Sequence, residues 1–222
     1  MTAPGASSDP FHPRFVPAPS FDLRVPFYPP LVAWLLKDDE TRGRLIDQAQ
    51  IGAGHQVLEI GCGRGELAMM IKLREPNAYV YALDPKPEKL ARVMGKSLEA
   101  GLPIRVYRGV SQRLPFPTEA IDRVMASLML QRLTREEKLA TFREAHRVLY
   151  FEGSVHVLDF APPVTRWEEL LVRCFHRGER MQPHLAGEIP ALMEEAGLVR
   201  ARETHSASTP IGRLALFEAY RS

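Results

Sequence analysis

The chain has 222 residues, 45% hydrophobic and 25% charged, which suits one large α/β domain and would leave two full domains cramped. A formal charge of +2 is too small to argue for nucleic acid or an acidic membrane surface as partner. Cys62 and Cys174 lie far apart and suggest neither a disulfide framework nor a metal site, LVAWLL at 31–36 is too short to cross a bilayer, and no signal-peptide layout opens the chain, so a cytoplasmic protein is expected.

Residues 1–30 carry Pro4, Pro10, Pro13, Pro17, Pro19, Pro26, Pro29 and Pro30 and no lasting period, as a mobile tail or an extended arm would. A single domain is expected over 31–222. Helical spacing over 31–50 (Leu31, Trp34, Leu35, Leu45, Ile46, Ala49) predicts one or two short helices interrupted near Gly43. From residue 56, the apolar strands QVLEI, AYVYALD, PIRVYRG, AIDRVMAS and SVHVLDF alternate with the helical stretches ELAMMIKLRE, PEKLARVMGKSLEAG and TREEKLATFREAHRVL. That alternation predicts a parallel sheet covered on both faces. A helix over 165–181 belongs to an insert near 162–188 that caps the acceptor site, and EIPALMEEAG is a further helix. LVRARETH and RLALFEAY then alternate with period two as an antiparallel pair. The expected fold is α/β and doubly wound, with a seven-stranded, mostly parallel, Rossmann-like sheet and an antiparallel last strand.

VLEIGCGRGEL concentrates the chemistry. Gly61, Gly63 and Gly65 stand where a strand turns into a helix, where a missing Cβ allows a sharp turn and close approach to a ligand. The N–H groups near Glu66 and Leu67 favour a carboxylate. The second strand ends in Asp84, an acid placed to accept ribose hydroxyls, or alternatively a helix N-cap at the head of DPKPEK. A dinucleotide fingerprint needs glycine where this chain has Glu66, and that carboxylate would face a pyrophosphate. Glu59 adds negative charge before the turn. A cationic nucleoside bearing an amino acid fits better, and S-adenosylmethionine is such a molecule.

VLEIGCGRG, YALDP, RGVSQRLPF, IDRVMASLMLQRL, FREAHRVLYFEGSVHVLDF and EIPALMEEAGL together resemble, in order and spacing over about residues 28–221, the class I S-adenosylmethionine-dependent methyltransferases. The likeness is to the small-molecule group that includes the ubiquinone/menaquinone-biosynthesis enzymes. The resemblance implies that Gly61, Cys62, Gly63 and Gly65 line the methionine portion of the cofactor and that Glu59 reaches its amino group. It implies that Asp84 holds the ribose, with Leu83 and Pro85 at the adenine. Where the family often has glycine–aspartate, this chain has Gly109–Val110; valine cannot accept from the adenine amine, and Ser111 (through its N–H) or Gln112 would substitute. Ser127 falls beside the methyl-transfer point, followed by Leu128, with Gln131–Arg132 where relatives have histidine. Leu128, Gln131 and His184 are the expected acceptor contacts.

Plainer roles stand beside these. His184, in the loop MQPHLAGE, is a substrate or base residue or an ordinary loop histidine. Tyr28 closes over the cofactor or staples the arm, Cys62 is a small turn residue or a reactive thiol, and His156 is a hydrogen-bonded core residue. The expected activity is in-line methyl transfer to a small apolar or aromatic acceptor, with a non-catalytic scaffold retaining the fold as the alternative. No metal and no nucleic acid are expected, and the oligomeric state stays open.

Overall fold

The computed structural model describes residues 38–175, 179–209 and 212–222; the proline-rich arm, Tyr28 and residues 31–37 lie outside the described residues. Helix α1 (Asp38–Ala49) precedes β1 (Gln56–Ile60), α2 (Glu66–Arg74), β2 (Tyr79–Asp84), α3 (Pro87–Ala100) and β3 (Ile104–Arg108). β4 (Ile121–Ser127), α4 (Arg135–Val148) and β5 (Leu149–Phe160) continue the alternation. After α5 (Arg166–Phe175), α6 (Gln182–Leu185) and α7 (Ile189–Glu195), the chain closes with β6 (Val199–Thr209) and β7 (Gly212–Tyr220). The seven strands lie in the order β3-β2-β1-β4-β5-β7-β6, and β7 runs antiparallel to both neighbours.

Side-chain alternation along the strands feeds two cores. Leu58, Ile60, Tyr81 and Leu83 pack with Leu139 and Phe142 of α4 and Leu192 of α7. Val57, Val80 and Ala82 meet Leu45 of α1, Leu67 and Ile71 of α2 and Val93 of α3 on the other face. Both faces are therefore covered, as a parallel sheet requires. Local signals set the ends: Thr134 and Glu137 form a capping box at the start of α4, and Gly101 closes α3 in the left-handed region.

Three elements depart from the expected pattern. α1 runs unbroken through Gly43, because the glycine makes room for a neighbour: a Cβ there would lie 2.8 Å from Arg74 Nη2, and Arg74 Nη1 donates to Gly43 O and Asp47 Oδ1. β5 begins at Leu149, five residues before SVHVLDF, because Glu152 N donates to Arg221 O and Arg221 N to Gly153 O. The helix expected over 165–181 is instead α5 followed, beyond the undescribed residues 176–178, by a 3₁₀ turn at Glu179–Met181. Among the described residues no helix is long and apolar enough to cross a membrane.

Candidate active site

Strand order reverses beside β1, between the β1-β2-β3 half and the β4 half, and ligands of open α/β sheets bind outside the carboxyl ends at that point. Register fixes what stands there. Ile60 pairs with both Leu83 and Ala126, and Ser127 with Leu158. Gly61, Asp84, Ser127 and Asp159 therefore leave the sheet at nearly the same level, from four adjacent strands.

The three glycines serve different ends. All have positive φ (71°, 57° and 79° for Gly61, Gly63 and Gly65), a region that side-chain-bearing residues rarely adopt. A Cβ on Gly65 would lie 2.8 Å from Val93 of α3, and one on Gly61 would lie 3.0 Å from Met129 Cβ. Gly63 alone of the three faces open space, its nearest neighbour being Gly61 O at 3.9 Å. Two glycines thus answer to protein packing, and one opens the turn toward the cleft. Cys62 is buried, and burial pushes its thiol well above the ordinary range, so it is an inert turn residue. Glu59 is 3% exposed and accepts from Ala68 N at 3.0 Å in the first turn of α2. Burial raises its pKa to about 8, against the lowering effect of Arg42.

Asp84 is 2% exposed and already committed in part. Its Oδ2 accepts from Gly63 N at 3.1 Å and Lys89 Nζ at 3.2 Å, while Oδ1 accepts from Lys86 N at 3.0 Å. It is not the N-cap itself, since Lys86 holds that position; it ties the glycine turn to the head of α3. A carboxylate offers about four acceptor sites, so capacity for a hydroxyl remains. Lys89 was not singled out from the sequence, although PEK one turn into the helix was the available signal. Pro85 is half-buried beside it, and Leu83 O accepts from the N–H groups of Gly61 and Cys62. Val110 forms an isolated bridge with Arg113. Thr141 Oγ1 donates to Glu137 O, so the 2.8 Å bond between the Ser111 and Thr141 hydroxyls has Ser111 as donor. Ser111 Oγ therefore spends its proton on Thr141 and keeps acceptor capacity only, and Gln112 next to it is half-buried.

On the far side, Ser127 Oγ is buried without a hydrogen-bond partner among the described residues. Leu128 has φ 51°, a strained value for leucine, and Gln131 Nε2 donates to Leu128 O at 3.2 Å. His184 departs most from expectation. It lies in the short helix α6 and is 0% exposed, with Nδ1 donating to Phe160 O at 3.0 Å and Nε2 unpartnered among the described residues. Burial lowers its pKa, and the ring is closed off from solvent. His156 is the hydrogen-bonded core histidine expected, held by Gln48 and Ser154. Asp159, at the same level on β5, was missed, though VLDF repeats the strand-end aspartate of YALDP.

Residues 57–153 match the family described as a methyltransferase domain. The demethylmenaquinone methyltransferase of Thermus thermophilus is 34% identical over 148 residues, 67% of this chain and 66% of that one. The chain belongs to the class I S-adenosylmethionine-dependent methyltransferases. A second relative, ubiquinone/menaquinone biosynthesis C-methyltransferase UbiE of Xanthomonas oryzae pv. oryzae, is 30% identical over 127 residues, 55% of this chain and 49% of that one. The chain thus spans about half to two thirds of the length of these relatives. The fold is shared with magnesium protoporphyrin IX methyltransferase (ChlM) from Synechocystis PCC 6803 with bound SAH, at TM-score 0.67 and 21% identity over 86% of this chain and 84% of that one.

S-adenosylmethionine is the cofactor of this family. The chain has a turn whose chemistry suits it, open at Gly63 and flanked by the carboxyls of Glu59 and Asp84 and by a Ser127 hydroxyl unpartnered among the described residues. Glu59 gives a measurable signature of that fit. At pH 7 a carboxyl of pKa about 8 is mostly protonated, and a nearby cationic ammonium would favour ionisation. Binding of S-adenosylhomocysteine should then release a fraction of a proton and tighten from pH 6 to 8, read by calorimetry in buffers of different ionisation heat. Because the folded-state pKa is raised, the stability Glu59 contributes to the free protein is full below about pH 4.5 and lost as pH rises toward 8. Glu59→Gln should flatten both pH dependences.

Proposed function

We propose that this methyltransferase carries the methyl group of S-adenosylmethionine to a small aromatic acceptor of the demethylated-quinol type, by in-line displacement above the carboxyl ends of β1 and β4. The 34% identity to a demethylmenaquinone methyltransferase over 148 residues supports the acceptor class, and Gly61, Asp84 and Ser127 at one level of the sheet support the location.

The cofactor supplies an electrophilic methyl already attached to a good leaving group, so the protein's task is alignment and exclusion of water. Gly61, Gly63 and Gly65 would shape the seat of the methionine portion, with Glu59 beneath it. Asp84 would hold the ribose, with Pro85, Val110, Ser111 N–H and Gln112 around the adenine. Ser127, Leu128 and Gln131 would border the reacting atoms, and the segment 162–188 would cap the acceptor. Glu168 suits it for that: its carboxylate accepts from Val164 N, Thr165 N and Ser208 Oγ, fastening the head of α5 to β6. A base is needed only where the acceptor loses a proton, and an exposed quinol hydroxyl can release it to solvent.

Thermal shift tests the first half. At one hundred times Kd, S-adenosylmethionine and S-adenosylhomocysteine should each raise Tm by roughly 5–10 °C, and NAD should not. Stabilisation by NAD alone would overturn the reading. Incubation with labelled cofactor and a panel of demethylated naphthoquinols, phenols and amines tests the second half. Label should move to the quinols; no transfer to any acceptor despite cofactor stabilisation would favour a cofactor-holding scaffold.

A further inference from the structure

Asp159 is fully buried near the carboxyl end of β5, with the charge of Lys138 close enough to interact with its carboxylate. Its Oδ2 accepts from Leu130 N at 2.8 Å, and Oδ1 from Phe160 N at 2.9 Å. Leu130 belongs to the turn after β4, which begins with the strained Leu128. A strained residue persists only where its surroundings over-determine it. Here Leu128 N donates to Leu158 O at 2.8 Å, Gln131 Nε2 donates to Leu128 O, and the Asp159 carboxylate seizes Leu130 N two residues on. The same turn is braced from below by Lys138, whose buried Nζ donates to Leu133 O and Arg180 O, each at 2.6 Å. The His184 ring packs beside the carboxylate, Nδ1 to Oδ1 at 3.9 Å.

Locking this turn has one consequence at the cleft. Met129, between Leu128 and Leu130, lies against Gly61, so closely that its Cβ, Cγ and Cε would lie 3.0, 3.2 and 3.4 Å from a Cβ placed there. The turn after β4 and the glycine turn after β1 are thus in direct contact across the topological switch, and Leu130, next to Met129, is the residue whose N–H the Asp159 carboxylate holds.

We propose that Asp159 is a positioning residue for the cofactor: it pins the strained Leu128–Gln131 turn so that Met129 closes on Gly61 and forms the wall of the methionine end of the cleft. The inference rests on the reading that the nucleoside's methionine portion lies on the glycine turn. Asparagine at 159 would turn an amide toward one of the two N–H donors and free either Leu130 or Phe160, whereas Met129→Ala removes the wall and leaves the carboxylate in place.

A double-mutant cycle on the Kd of S-adenosylhomocysteine, measured by calorimetry, tests the coupling. Asp159→Asn should weaken binding at least fivefold and Met129→Ala at least threefold, with the double variant no weaker than about the poorer single variant. Losses that multiply would overturn the proposal, because a general loss of packing has no reason to saturate. Amide exchange on the wild-type protein keeps the test open where Asp159→Asn does not fold. S-adenosylhomocysteine should slow exchange at Met129 and Leu130 at least threefold while leaving Leu216 of β7 unchanged, and equal rates with and without ligand would overturn the proposal. Asp84→Ala serves as the reference arm. Unchanged affinity there removes the underlying placement of the cofactor and this inference with it, while weakened affinity with a multiplicative cycle removes this inference alone.

Discussion

Replacing Asp84 by alanine should weaken S-adenosylhomocysteine binding by about 1–3 kcal/mol, roughly 5- to 150-fold, as expected for the loss of hydrogen bonds to a charged group. Two losses combine. The ribose hydroxyls would lose a buried anionic acceptor, and Gly63 N–H and Lys86 N–H would lose the partner that fixes the turn relative to α3. Asp84→Asn separates them in part, since the amide keeps the volume while offering one acceptor oxygen in place of two. Lys89→Met removes only the ion pair and should change Kd less than threefold, because the backbone donors still hold the carboxylate. Calorimetry at fixed pH and salt reads all three. A lower Tm for Asp84→Ala with unchanged Kd would mean that the carboxylate braces the turn and the ribose is held elsewhere.

Much of the fold was legible because periodicity and punctuation agreed. QVLEI, YVYALD and IDRVMAS are buried strands with turn residues on either side, and the Thr134–Glu137 box announces α4. The errors fell where a long-range partner overrode a local signal. Gly43 reads as a helix breaker until Arg74 is found over it, and β5 reads as starting at SVHVLDF until Arg221 extends it back to Leu149. For the candidate site, residue type points to positions and leaves their division of labour open. GCGRG and the acid of YALDP mark the cleft by residue type, but sequence cannot say which glycine faces a ligand and which faces Val93 or Met129. His184 drew attention as a titratable residue in the loop MQPHLAGE, which by resemblance precedes the late helix and faces the acceptor; the structure buries it completely, against Phe160 and Asp159, 24 and 25 residues earlier. Asp159 drew none, since an acid closing an apolar strand looks like any exposed strand end until the register places it beside the turn after β4.

Gly65→Ala should lower stability by about 2–5 kcal/mol, the sum of a strained left-handed backbone and an overpacked contact, and so depress Tm by about 5–15 °C. The methyl would lie 2.8 and 3.1 Å from the two Val93 methyl carbons, in a core where Val93 is 0% exposed and has no room to retreat. Gly63→Ala makes the useful contrast. Its backbone strain is similar, φ 57° against 79°, but its methyl enters open space, so the stability loss should stay near 1–2 kcal/mol. The effects on ligand should run the other way. A methyl at 63 occupies the mouth of the turn and should reduce S-adenosylhomocysteine affinity more than it reduces Tm, whereas residual folded Gly65→Ala should bind with an affinity closer to wild type. Val93→Ala in the Gly65→Ala background removes the clash but not the strain, and should restore part of the lost Tm. Melting curves and calorimetry on the four proteins decide the matter: a native Tm for Gly65→Ala, or a Gly63→Ala protein that binds as tightly as wild type, would reverse the assignment of which glycine serves the fold and which serves the cofactor.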